Sequence, residues 1–127
     1  MTIEEYIDNI NQRYTLGNAT EHTFRGDLQQ LIESLVPEIR ATNEPKRQSC
    51  GAPDYILTKK DIPVGFIEAK DIGDKDLEGK KKSVNKEHFD RYIASLTNLI
   101  FTDYIDFHLY NDGELITKIS IGKIDNE

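Results

Sequence analysis

Asp54, Glu68 and Lys70 are the residues whose types and spacing invite chemistry. They lie towards the two ends of one stretch, GAPDYILTKKDIPVGFIEAK from Gly51 to Lys70. In it two short apolar runs, Asp54 to Thr58 and Val64 to Ala69, flank a Lys-Lys-Asp-Ile-Pro connection. Runs rich in Ile, Leu, Val, Phe and Tyr about a turn signal predict a β-hairpin. Side chains alternate across a strand, so Glu68 and Lys70 share one face while Ile67 and Ala69 take the other. Pairing of the hairpin carries Asp54, at the start of the first strand, towards the end of the second. Two carboxylates and an ammonium then meet where an otherwise apolar strand runs out into water. Hard oxygen donors of this kind suit Mg²⁺, which takes one or two carboxylates and keeps several waters. A lysine beside such an ion is placed to orient or deprotonate a water and to stabilise charge on a transferred group. The ordinary alternative is a surface strand carrying an acid and a base two positions apart.

The elements that must position these groups are also visible. Thr2 with Glu5 three residues later forms a capping-box pattern, and Ile3, Tyr6, Ile7, Ile10 and Tyr14 recur at helical spacing, predicting a first helix to about Arg13. A second helix is predicted from near Thr20, with Phe24, Leu28, Leu31, Ile32 and Leu35 along one side and Pro37 ending it. Val36, before the proline, is pushed out of helical geometry, and an extended run, Ile39 to Asn43, follows. After the hairpin, Asp71 to Lys86 lacks periodicity and reads as a loop. Glu87 to Leu96 reads as a third helix with Phe89, Ile93 and Leu96 on one side. Strands are predicted at Asn98 to Thr102, Asp106 to Tyr110 and Glu114 to Ile121, with Asn111-Asp112-Gly113 as a hairpin turn. The expected architecture is α/β with a mixed central sheet flanked by helices.

Pro53-Asp54 followed fourteen positions on by Glu68-Ala69-Lys70 resembles the PD-(D/E)xK nuclease motif. The segments TEHTFRGDLQQLIESL, ATNEPKRQSCGAPDYIL, GFIEAKDIG and NLIFTDYIDFHLYNDGE are similar to the amino-terminal cleavage domain of single-polypeptide restriction-modification enzymes. These are the type ISP and type IIG-like enzymes, which fuse a nuclease to an adenine methyltransferase, and the resemblance runs from about Thr20 to Glu114. It implies a restriction-endonuclease-like αβββαβ core and Mg²⁺-dependent hydrolysis of DNA that leaves a 5′ phosphate, with Mn²⁺ substituting. Asp54, Glu68 and the Ala69 carbonyl would hold the metal, and Lys70 would act on the water. The resemblance also implies a helix carboxylate. At 100° per residue Glu21 falls on the inward stripe and Glu33 opposite it, so Glu21 is favoured, with Arg25 one turn along as its pairing partner. A Gln-x-x-x-Tyr pattern frequent in such enzymes appears here from His88 to Tyr92 with histidine in first place, so His88 would contact the phosphate or a metal-bound water. Implied partners are double-stranded DNA, tethered or associated methyltransferase and target-recognition domains, with a translocase as a further candidate. Dimerisation on DNA is implied for double-strand cleavage.

Composition bounds these expectations. At 127 residues the chain is expected to form one domain over 1–127: a leading helix and linker over 1–19, a core over 20–121 and a polar tail over 122–127. No apolar run approaches the roughly 18 residues of a membrane span. The first twenty residues contain Glu4, Glu5 and Asp8 and lack a secretory pattern, so a cytoplasmic location is expected. Cys50 is the one cysteine, which excludes an internal disulfide, and the serine and cysteine residues show no triad arrangement; His22 and His108 have no matching ligands. The net charge of −7 argues for weak DNA affinity of its own, because phosphate neutralisation supplies most non-specific binding. Tethering to a recognition module would supply the missing affinity through effective concentration. No methylase-type motif occurs before Glu127, so an excised domain and a chain that stands alone are both open. Lys80, Lys81 and Lys82 are candidate phosphate contacts beside the alternative of a solvated loop. Glu44 and Gln48 are further polar candidates near the site mouth. Two other functions stay open: a catalytically silent module of the same fold that docks DNA or protein, and an acidic protein-interaction domain.

Overall fold

The computed structural model of the chain describes residues 1–17, 24–43, 53–72, 90, 92–93 and 96–122. Glu21, His22, Glu44, Gln48, Cys50, Lys80, Lys81, Lys82 and His88 therefore lie outside the described residues. The first helix, α1 (Ile3–Thr15), starts on the expected capping box: the Thr2 hydroxyl accepts the Glu5 amide at 3.1 Å and donates to the Glu5 carboxylate at 3.3 Å. It continues two residues past Arg13 and stops where Gly17 takes a left-handed φ of 76°, a conformation glycine adopts without a Cβ clash. Tyr6 and Ile10 form its buried stripe.

The second helix, α2 (Arg25–Leu35), buries Leu28 and Leu31 as the periodicity predicts, whereas Leu35 at the far end is 54% exposed. Val36 leaves helical geometry ahead of Pro37, at φ −132°. Glu33 turns back to accept the Ala41 amide at 3.1 Å, which ties the helix to the strand that follows.

Among the described residues six strands build one sheet: β1 (Ile39–Asn43), β2 (Tyr55–Lys59), β3 (Ile62–Ala69), β4 (Asn98–Thr102), β5 (Asp106–Asn111) and β6 (Glu114–Ser120). Their spatial order repeats their sequence order. The β3–β4 pair is parallel and the other four pairs are antiparallel, so the sheet is mixed.

The hairpin connection is shorter than the Lys59 to Pro63 link predicted from composition. Lys59 pairs with Ile62, and Lys60 and Asp61 turn the chain with φ of 51° and 65°, the positive pair a two-residue hairpin loop requires. Ile62 and Pro63 thus belong to β3. The register slips between Leu57 and Thr58, and β4 pairs only from Phe66 onward, so Pro63 sits at an irregular stretch with a neighbour on one side. A proline is tolerated there because its missing N–H breaks no central ladder. At the other hairpin Asp112 and Gly113 take φ of 50° and 85° between the paired Asn111 and Glu114, as an Asp-Gly turn should.

The sheet separates two cores. On one face Ile67, Ala69 and Tyr55 pack with Tyr6, Leu28 and Leu31 of the two helices. On the other, Phe66, Leu99, Phe101 and Tyr110 pack with Tyr92, Ile93 and Leu96. Asp90, Tyr92 and Ile93 are helical and the Leu96 amide donates to the Tyr92 carbonyl at 2.9 Å, consistent with the predicted third helix. Among the described residues no helix is long and apolar enough to cross a membrane.

Candidate active site

The carboxyl-terminal ends of the parallel strands β3 and β4 gather the charged groups. In open α/β sheets this is where ligand crevices form. Asp54, one residue ahead of β2, reaches across to this end. Its Oδ2 accepts the Ala69 amide at 2.8 Å, and its Oδ1 accepts Nη2 of Arg25, the first residue of α2, at 2.6 Å. One carboxylate thereby joins the helix to the strand.

Pro53 explains why the side chain rather than the backbone makes that contact. Continuing the register two residues beyond the Tyr55–Ile67 pair sets position 53 opposite Ala69. A proline there has no N–H with which to extend the ladder or to occupy the Ala69 carbonyl. Within an extended strand the N–H and C=O of one residue point the same way, so the Ala69 carbonyl is directed to the Asp54 side.

Glu68 projects to the opposite face from Ile67 and Ala69, yet it is only 5% exposed. Burial pushes its carboxyl up to about 9 from an ordinary 4.5; the hydrogen bond to Asp54 and the charge of Asp54 add to this, and Lys70 and a hydrogen bond from Tyr92 oppose it. Desolvation penalises the ionised form, so at neutral pH Glu68 carries a proton and donates to Asp54. Lys70 is half-buried, close enough to act on Glu68, and its amide donates to the Thr102 carbonyl at 2.8 Å. Asp54, Glu68 and Lys70 are therefore brought together.

The surroundings are built to hold this arrangement. The Tyr55 hydroxyl donates to the Arg25 carbonyl at 2.7 Å, pinning the start of α2 to β2, and burial drives the Tyr55 phenol far above its ordinary range, so it remains a neutral donor. Asp27, also buried, accepts Nε of Arg13 from α1 at 2.7 Å. Beyond β4, Asp103 accepts the amides of Ile105 and Asp106 at 3.1 and 2.7 Å, forming a tight turn in which Tyr104 has φ of 76°. That is an uncommon conformation for an aromatic residue. Tyr104 is held there by the Tyr6 hydroxyl on its carbonyl at 2.7 Å and by the Phe24 ring 5.3 Å away.

The donor set fits a hard divalent ion: two carboxylates within hydrogen-bonding reach, a nearby main-chain carbonyl, and a guanidinium already standing as a cation on Asp54. No cluster of three or more His, Cys, Asp or Glu residues that could hold a metal ion forms among the described residues. His108 is buried on β5, across β4 from Glu68 through Phe101. Two contributors are not singled out by motif reasoning. Arg25, expected only as a partner for Glu21, which lies outside the described residues, meets Asp54, and its i, i+3 relation to the inward Leu28 is the signal that places it on that side. Tyr92, recognised in the sequence only as the end of a spacing pattern, donates to Glu68.

The topology and a structural match together establish a restriction-endonuclease-like α/β fold. No protein-family model matches the chain, and no curated protein sequence matches it. Seven chains of solved structures do. One belongs to a cryo-electron-microscopy structure of a DrdV–DNA complex, with a TM-score of 0.75 and 22% identity over 94% of this chain and 85% of that chain. At that identity the likeness is one of fold.

Proposed function

We propose that the chain is a Mg²⁺-dependent DNA endonuclease domain, the cleavage module of a restriction-modification enzyme. The observation that carries this reading is the meeting of Asp54, Glu68 and Lys70 at the ends of β3 and β4, in a fold also found in a DNA complex. Bound by Asp54, Glu68 and the Ala69 carbonyl, Mg²⁺ or Mn²⁺ would lower the pKa of a water and offset charge on the phosphate. Glu68 must first release the proton it shares with Asp54. Lys70, the charged group beside them, orients the attacking water and stabilises negative charge on the transferred phosphate. Glu21 would add a carboxylate from the helix side and His88 a phosphate contact. Lys80, Lys81, Lys82 and Gln48 would contact DNA. The net charge of −7 makes affinity dependent on a tethered methyltransferase and target-recognition domain, with dimerisation on DNA for double-strand cuts and a cytoplasmic setting.

The test is nicking of supercoiled plasmid at low salt with Mg²⁺ or Mn²⁺, comparing the chain with Lys70→Ala. Activity lost in a variant that keeps its circular dichroism supports the site; equal activity in both proteins refutes it. The net charge favours one alternative, an acidic interaction domain. Failure to bind DNA at low salt even with Ca²⁺ present would favour that reading.

A further inference from the structure

We propose that Arg25 is the resident counter-cation of Asp54, holding the metal-free site together and setting the affinity with which a divalent ion displaces it. The proposal rests on the metal-site reading above but concerns a residue outside the metal-ligand motif. The guanidinium lies 2.6 Å from Asp54 Oδ1, and the two side chains are 7% and 14% exposed. A buried carboxylate beside a second carboxyl needs a positive partner, because an uncompensated charge in a low-dielectric setting is strongly unfavourable. The remaining Asp54 oxygen is engaged by the Ala69 amide, so an incoming ion competes with the guanidinium for Oδ1.

Arg25 cannot drift far when this happens. Its carbonyl is fixed by the Tyr55 hydroxyl at 2.7 Å, and the side chain is only 7% exposed. The displaced charge therefore stays near the ion and repels it. Removing a unit charge a few ångströms from a divalent ion in a partly buried site should tighten binding by about tenfold or more. Arginine suits the resting role because its long side chain carries a permanent positive charge from the start of α2 to Oδ1 through a single Nη2 bond.

The experiment is calorimetric titration with MnCl₂ at one fixed pH, together with thermal unfolding with and without the metal, on the full chain and its Arg25→Gln, Arg25→Lys and Asp54→Asn variants. Arg25→Gln is expected to melt lower than the unsubstituted chain without metal, to bind Mn²⁺ about tenfold tighter or more, and to gain more in melting temperature on adding it. Arg25→Lys, which keeps the charge but is shorter and loses the Nη2 bond, should tighten binding only a few-fold. If Arg25→Gln does not fold, the lysine variant decides: a gain supports the proposal and no gain overturns it. Mn²⁺ binding that is lost in Asp54→Asn but equal or weaker in a folded Arg25→Gln overturns the counter-cation role alone. No Mn²⁺ binding to any of the proteins overturns both the metal site and this role.

Discussion

Replacing Glu68 by glutamine should change how stability responds to pH in the metal-free protein. The native carboxyl titrates near 9 against 4.5 for an ordinary glutamate, so between those values the folded chain holds a proton that the unfolded chain has released. The unfolding free energy then falls by about 1.4 kcal/mol per pH unit across that window. This stabilisation is fully present below the ordinary value and lost as pH rises through the raised one. From about pH 5 to about pH 7 the site alone removes roughly 2–3 kcal/mol. Glu68→Gln has no such proton, and its amide N–H can donate to Asp54 as the protonated carboxyl does. The variant should therefore be the more stable protein at about pH 8 by a few kcal/mol, and its stability should depend less steeply on pH. Urea unfolding followed by circular dichroism, with EDTA present, measures both slopes. Parallel slopes for the two proteins would mean that Glu68 is ionised in the native state, and the account of the buried pair would be wrong.

Three smaller perturbations test the supporting contacts. Tyr92→Phe removes the hydrogen bond that favours ionised Glu68, so Mn²⁺ affinity at neutral pH should fall severalfold by calorimetry and stability by about 1 kcal/mol. Gly113→Ala keeps an ordinary 3.6 Å contact with Ile93 but forces φ of 85° on a residue with a Cβ. The expected cost is about 1 kcal/mol, read as a drop of roughly 4 °C in melting temperature. Thr2→Ala deletes the cap on the Glu5 amide and should cost about 1 kcal/mol by denaturant unfolding.

Local signals were legible where the backbone itself had to be satisfied. An Asp-Gly pair announces its own turn, Thr2 and Glu5 announce a helix start, and the runs at β1 and β4 coincide with the strands observed. The β2–β3 connection misled because Ile62 and Pro63 read as loop, although a bulge beyond the reach of β4 accommodates the proline inside the strand. The exposed Leu35 shows the limit of a helical stripe, which gives direction but not how far the packing extends. At the site, alternation along β3 put Glu68 and Lys70 on one face. It could not reveal that Glu68 is buried, since burial depends on Tyr92 and Phe101 arriving from elsewhere in the chain. The Arg25–Asp54 pair was equally out of reach: its two residues are 29 positions apart, and nothing local couples them.

The sequential order of the sheet bears on how the chain reaches its native state. Four of the five strand pairings join neighbours in sequence as antiparallel pairs, so they close loops of modest length and can form early. The parallel β3–β4 pairing spans the longest intervening segment, from Ala69 to Asn98, and carries the largest loop-closure entropy. Folding would then proceed from two halves, β1–β3 with the helices and β4–β6, that join at one seam. That seam is where the Lys70 amide meets Thr102 and where Glu68 is covered, so the proposed site and the pairing that closes the longest segment share an address. Substitutions at Leu99, inside the seam, should therefore slow folding, and chevron kinetics measure this.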